Sequence, residues 1–168
     1  DIVWLALAPD QRDAAEQFVD AIAGVQRSPL VVVNNSTFPV GQTEALEALL
    51  RHASQVAVVL PDMLEEGRAW QVFTRPARWL LGCEDDWAAD QVRETLRAFN
   101  RRAEVFQRMP RRAAELTKLA INGMLATRIS YMNEVAGLAD SLGVDVEHVR
   151  QGMGADTRIG YEYLYPGI

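Results

Sequence analysis

Apolar residues along this chain alternate between two rhythms. Short unbroken runs at Ile2–Ala8, Leu30–Val33, Val56–Leu60 and Arg78–Leu81 predict buried strands, the first and third ended by Pro9 and Pro61. Between them, apolar positions recur at helical spacing: Ala15, Phe18, Val19 and Ile22 in Arg12–Ala23, and Leu46, Leu49 and Leu50 in Gln42–His52. Trp87, Val92, Leu96 and Phe99 do the same in Asp86–Asn100, and all of these are expected on inner faces. Asn34–Gly41 is a loop of turn formers, Asp62–Phe73 a loop or short helix, and Ala103–Gln107 a last strand before Pro110. Strand and helix alternating through short connections predict crossover units and a mostly parallel sheet in an α/β fold.

From Arg111 to Leu142 the helical rhythm runs on without a proline, which predicts a helix of about eight to nine turns. Leu116, Leu119, Ala120, Met124, Val135, Leu138, Ala139 and Leu142 carry the period, and small residues such as Ala113, Gly123 and Ala126 sit among them. A helix this long exceeds what a compact domain needs, so it is expected to bridge two lobes or two subunits. Gly143 ends it, Asp145 is the expected N-cap of a short helix over Val146–Met153, and a tail with Tyr161, Tyr163 and Tyr165 follows.

Charge and composition narrow the picture. A net charge of −6 and a pI near 4.9 argue against general nucleic-acid binding. No apolar run is long enough to span a membrane, and one cysteine, Cys83, permits no disulfide within the chain, as fits a reducing cytoplasm. Cys83 closes an apolar strand and reads as a core thiol. His52 and His148 read as solvent-facing, and Arg101, Arg102, Arg108, Arg111 and Arg112 as a solvated basic surface. No G-x-G-x-x-G occurs, so no phosphate-cradling turn lies in these residues. The chain opens inside an apolar run without an initiator Met and stops at YPGI, so a fragment cut at both ends is expected.

Lys118 and Asn122 are four residues apart on the long helix and share a face, with Glu115 three residues before Lys118. Spacing leaves two readings open. One is an exposed Glu–Lys pair beside a surface Asn. The other is an ammonium and a carboxamide aimed together at an oxygen that gains charge.

Several stretches, in order, resemble the UDP-glucose/GDP-mannose dehydrogenase family of nucleotide-sugar 6-dehydrogenases. Ser36-Thr37-Phe38-Pro39-Val40-Gly41 looks like the family's S-T-x-P-x-G loop. Leu60 to Gly67 looks like its N-P-E-F-L-R-E-G segment, and Trp70 to Gly82 like the stretch that follows. Ala114-Glu115-Leu116-Thr117-Lys118 through Asn122 to Asn133-Glu134 resembles A-E-L-x-K-x-x-x-N…N-E. Asp156 to Gly160, with Tyr163 and Pro166-Gly167, resembles the stretch before the family's catalytic cysteine.

The resemblance implies the second half of a Rossmann-type NAD-binding domain over residues 1–109, then a central helical, dimerising segment over 110–168. The glycine-rich first half, the G-G-x-C nucleophile and a second nucleotide-sugar domain would lie outside these residues, and the 168 residues alone would be inactive. Such enzymes oxidise C6 of a nucleotide sugar twice with NAD, through a cysteine thioester that water hydrolyses. By the same resemblance Lys118 and Asn122 would stabilise the charged oxygen at C6, and Glu66 and Thr37 would place the hydrolytic water beside the cofactor. Asp62, Met63 and Leu64 would line the sugar. Arg158 would reach the substrate of a neighbouring subunit in a homodimer built on the long helix, and Tyr163 the diphosphate. No metal is implied.

Four positions depart from the pattern: Asn35 for Lys, Leu60 for Asn, Asp62 for Glu and Glu65 for Arg. They leave room for a degenerate, non-catalytic paralogue acting as a dimerisation or binding module. Related hydroxyacid dehydrogenases also place a Lys and an Asn one turn apart, but lack the S-T-x-P-x-G and Glu66-type segments. Arg158-Ile159-Gly160 leans toward UDP-glucose, Tyr163 to Gly167 toward GDP-mannose.

Overall fold

A computed structural model describes residues 1–26, 29–65, 67–99 and 105–167. Its elements are β1 (Ile2–Leu5), α1 (Arg12–Val25), β2 (Leu30–Asn34), α2 (Gln42–Ala48), β3 (Gln55–Val59), α3 (Ala69–Thr74), β4 (Trp79–Gly82), α4 (Asp86–Leu96), β5 (Phe106–Met109), α5 (Arg111–Leu142) and α6 (Val146–Ala155). The sheet has five strands in the order β1-β2-β3-β4-β5. β1, β2 and β3 are parallel, with Val31 beside Ile2 and Val56. β4 turns antiparallel to β3 through one pair, Val59 and Gly82, and β5 runs parallel to β4. The expected α/β class, mostly parallel sheet and long helix are all present.

β2 shows why the sheet forms. All five of its residues are buried, as a β-branched run covered on both faces must be. Val31 and Val33 face a core with Val58, Leu81, Val92 and Leu96, while Leu30 and Val32 face another with Ala15, Val19, Phe38 and Leu46. α4 covers the first face and α1 with α2 the second.

Three aromatic side chains expected inside are not. Phe18, Trp87 and Phe99 are 48%, 39% and 43% exposed. Ala15, Val19, Val92 and Leu96 are buried as expected, and the alanines Ala23, Ala88 and Ala89 take inner positions beside them. Alanine brings a helix axis closer to the sheet than a ring would allow, and the rings move to the flanks. There Phe99 meets Trp70 and Phe73 edge-on, and Phe73 meets Trp4 and Trp79. The last strand ends at Met109, two residues beyond its expected end, and Ala103 is outside the described residues.

By its contacts the chain divides into Asp1–Leu119 and Ala120–Ile168. In the second unit Gly143 takes φ +66 at the break, and the Asp145 side chain caps α6 by accepting from the Glu147 amide. Arg128 donates to the carbonyls of Ile159 and Gly160, and Asn133 exchanges two hydrogen bonds with the Gly167 backbone. Tyr161 lies against Gly154, and Met132 and Leu164 are buried. The Arg150 guanidinium, then the Gln151 amide, bond to Glu147 and lower its carboxyl to about 2.

In the first unit Gly82 marks a close approach. A Cβ there would meet the Val59 side chain, and would lie 2.8 Å from the Ala114 Cβ and the Arg111 Cα. Gly82→Ala should therefore cost about 1–3 kcal/mol through overpacking. Urea denaturation followed by circular dichroism should show the lower midpoint; an unchanged midpoint would mean that α5 shifts freely. The neighbouring Cys83 is 3% exposed and its Sγ donates to the Asp85 carbonyl 3.0 Å away. Burial, opposed by that hydrogen bond, pushes the thiol above its ordinary pKa. Iodoacetamide at pH 8 should alkylate Cys83 at least about tenfold more slowly in the native chain than in urea. Equal rates would show an open thiol.

Candidate active site

Open α/β sheets take their ligands outside the carboxyl ends of the parallel strands. In the first unit that edge consists of the segments that follow β1, β2 and β3, and hydrogen bonds sew them together. Ser36 Oγ accepts from the Leu7 amide at 2.9 Å and donates to the Leu5 carbonyl at 3.3 Å, joining the loop after β2 to the end of β1. Asn35 Nδ2 donates to the Leu60 carbonyl at 2.6 Å, joining the same loop to the end of β3. Asn35 and Leu60 are two of the positions that depart from the family pattern, and they contact each other.

A second chain of bonds fixes the loop from inside. The Ser36 amide donates to Asn34 Oδ1 at 3.1 Å, and Asn34 Nδ2 donates to Thr43 Oγ1 at 3.0 Å. Thr43 Oγ1 donates to Glu115 Oε1 at 2.7 Å. Glu115 also accepts from the amides of Thr43 at 2.9 Å and Gly41 at 2.6 Å. Asn34 and Thr43 are fully buried and Glu115 is 4% exposed.

These bonds answer a need set by sequence. Helix starts leave amides without partners, and a polar side chain at the N-cap normally accepts from them. The N-cap of α2 is Gly41, with φ +96 and no side chain to offer. Glu115, more than seventy residues away, supplies the missing acceptor. The rest of the contact follows the same line. Arg111 pairs with Glu47 near the end of α2 at 2.6 Å, Arg112 with Glu44 at 3.1 Å, and Glu115 with its start. α5 therefore enters antiparallel to α2, and its next turn carries Lys118 past the start of α2, toward the carboxyl edge.

The expected site residues fall as follows. Thr37, Asp62 and Met63 are half-buried in the carboxyl-edge segments, and Leu64 is exposed beside them. Asp62 Oδ1 accepts from the Leu64 amide at 2.6 Å, closing a local turn. Lys118 is half-buried on α5. Glu66 lies outside the described residues. The first unit thus brings Thr37, Asp62, Met63, Leu64 and Lys118 to one edge. Asn122, Arg158 and Tyr163 belong to the second unit. Asn122 is exposed one turn along α5, Arg158 pairs with Asp156 at 2.7 Å, and Tyr163 takes φ +57, a left-handed conformation rare for a ring-bearing residue.

One of the two readings left open by spacing is excluded, and one expectation is corrected in part. Glu115 is not half of an exposed pair with Lys118; its carboxylate turns inward to Gly41 and Thr43. The glycine at the start of α2 was the signal for it, since an uncapped start requires an acceptor from elsewhere. Nor are Arg108 and Arg111 a free solvated surface, although the Arg112 side chain is 62% exposed as expected. The Arg111 side chain is 14% exposed between Glu47 and Glu84, and Arg108 binds Asp86 and the carbonyls of Cys83 and Glu84. Arg101 and Arg102 lie outside the described residues.

Comparison with known proteins identifies relatives of this chain. Residues 112–168 match the UDP-glucose/GDP-mannose dehydrogenase family, central domain. The chain is 43% identical over 149 residues to a UDP-glucose 6-dehydrogenase of Pseudomonas aeruginosa, covering 84% of this chain and 33% of the relative. It is 37% identical over 181 residues to a UDP-glucose 6-dehydrogenase of Rhizobium meliloti, covering 99% of this chain and 41% of the relative. The structure of a UDP-glucose dehydrogenase from Pyrobaculum islandicum superposes with a TM-score of 0.86 at 32% identity, over 99% of this chain and 41% of that one. The chain thus spans a third to two fifths of the length of these relatives, and it belongs to the UDP-glucose/GDP-mannose dehydrogenase family.

Proposed function

We propose that the chain forms part of an NAD-dependent nucleotide-sugar 6-dehydrogenase that oxidises the C6 alcohol of UDP-glucose to the acid in two steps through a cysteine thioester. The observation that carries this reading is the Glu115 lock, because it holds the loop of Thr37 and the helix of Lys118 in one frame at the ligand edge of the sheet. The names of the relatives support the UDP-sugar. Residues 1–109 would then contribute to the NAD-binding domain and 110–168 to the central helical domain, in a cytoplasmic enzyme.

In this reading Lys118 and Asn122, one turn apart on α5, donate to the oxygen that gains charge at C6. Preorganised donors of this kind contribute roughly 3–4 kcal/mol each at the transition state. Asp62, Met63 and Leu64 line the sugar, with the Leu64 amide already engaged by Asp62. Tyr163 approaches the diphosphate, and Arg158 serves the substrate of a neighbouring subunit. Thr37 and Glu66 adjoin the cofactor and place water. Thr37 suits that role because it stands half-buried at the carboxyl end of β2, where such sheets receive a dinucleotide. NAD, when bound, supplies the hydride acceptor; no G-x-G-x-x-G occurs in the chain, so its pyrophosphate is left to other residues. Cys83, buried and poorly ionised, is not the nucleophile. The 168 residues alone are accordingly expected to be inactive.

In the complete gene product, assayed with UDP-glucose and NAD, Lys118→Ala should lower kcat by about a hundredfold or more. An unchanged kcat would return Lys118 to the role of a surface cation. The homodimer has its own test. Leu116, Met124, Leu138 and Leu142 on α5 are 57–67% exposed, and a two-fold contact would pair like helix with like. Light scattering at micromolar concentration should give twice the 18.7 kDa chain mass. A stable monomer would contradict that pairing.

A further inference from the structure

We propose that Glu115 is a positioning residue of the reaction: its carboxylate sets the distance between the Thr37 loop and the turn of α5 that carries Lys118. The inference rests on the function proposed above. Its physical basis is that one buried group serves both parts. Glu115 Oε2 holds the Gly41 amide that ends the loop, and Oε1 holds the amide and hydroxyl of Thr43. Thr43 in turn receives Asn34 at the end of β2, and Asn34 receives the Ser36 amide beside Thr37. Lys118 is three residues beyond Glu115 on the same rigid helix.

Each carboxylate oxygen is an acceptor facing a donor. An amide at this position keeps one acceptor for Thr43 but turns an N–H₂ toward the Gly41 N–H, where two donors repel. The loop must then move relative to the helix, although the volume of the side chain is unchanged. Displacement of a catalytic group by about 1 Å can cost up to about a hundredfold in rate. The Arg111 and Arg112 pairs hold the first turn of α5 to α2 independently of Glu115, so the helix itself stays docked.

The experiment is a kinetic cycle in the complete gene product with UDP-glucose and NAD, using Glu115→Gln, Lys118→Ala and the double variant. Glu115→Gln should lower kcat by about tenfold or more with KM for UDP-glucose changed by less than about threefold. In the Lys118→Ala background the same change should cost less than about twofold, because the group it positions is gone. Equal losses in the two backgrounds, or a lower melting temperature with unchanged kcat, would reduce Glu115 to a structural cap and overturn the proposal. Should Glu115→Gln not fold, Thr43→Val carries the same cycle, since it removes the hydroxyl between Asn34 and Glu115. Amide exchange at Gly41 and Thr43 separates the two ideas. Faster exchange in Glu115→Gln with no kinetic effect of Lys118→Ala would sink the proposed function, and the positioning role with it, while leaving the lock real. Unchanged exchange would sink the lock itself.

Discussion

The loop after β2 is held to α5 by one carboxylate that reaches across the fold to complete a helix it does not belong to. Gly41 can take the left-handed turn that redirects the chain from loop into α2, and a Cβ there would come within 3.3 Å of the Arg112 guanidinium. The same absence of a side chain leaves α2 without a cap. Glu115 resolves both demands at once. Thr43 and Glu115 are buried, so leaving the Thr43 donors unpaired there costs about 1–3 kcal/mol. The carboxylate therefore fixes where the loop sits on α5, while Arg111 and Arg112 hold α2 to the first turn of α5 separately.

Around that lock a few buried charges tie the fold together. Arg111 is the most buried cation of the α2–α5 contact, and it donates to the Ala57 carbonyl as well as meeting Glu47 and Glu84. Its partners come from α2, from β3 and from the turn after β4, so a single guanidinium ties three segments. The exposed pairs elsewhere, such as Arg93 with Asp90 and Arg97 with Glu94, join neighbours on one helix and contribute little to stability. What distinguishes the former is burial together with long sequence separation.

Much of this was legible in the chain itself. Runs such as Leu30–Val33 admit only a strand covered on both sides, and the proline-free stretch from Arg111 admits only a long helix, so the α/β plan followed from local pattern. The inner faces were legible at Ala15, Val19, Leu46, Val92 and Leu96, but not at the aromatic positions. The aromatic side chains of Phe18, Trp87 and Phe99 outweigh their alanine neighbours in any hydrophobic count, yet close approach to the sheet favours the smaller residue. At the site, motif resemblance identified the loop of Thr37 and the helix of Lys118, because each keeps a contiguous signature. The bond between them joins residues more than seventy apart; the glycine before α2 signals a missing acceptor but not which residue supplies it. Glu115 was visible as a letter of the A-E-L-x-K resemblance, with no role attached to it.

The reversal of direction at β4 has a consequence for the layering of the whole first unit. The strands lie side by side in the order in which they occur, so the chain never doubles back across the sheet. With parallel connections all of one hand, an unreversed sheet of that order would collect every crossover helix on a single side. α1 and α2 do share one side. Once β4 and β5 point the other way, the same right-handed path from one to the next must pass over the opposite side, and α4 is found there, against Val31, Val33 and Val58. A change of strand polarity has replaced a change of strand order as the means of roofing the second face.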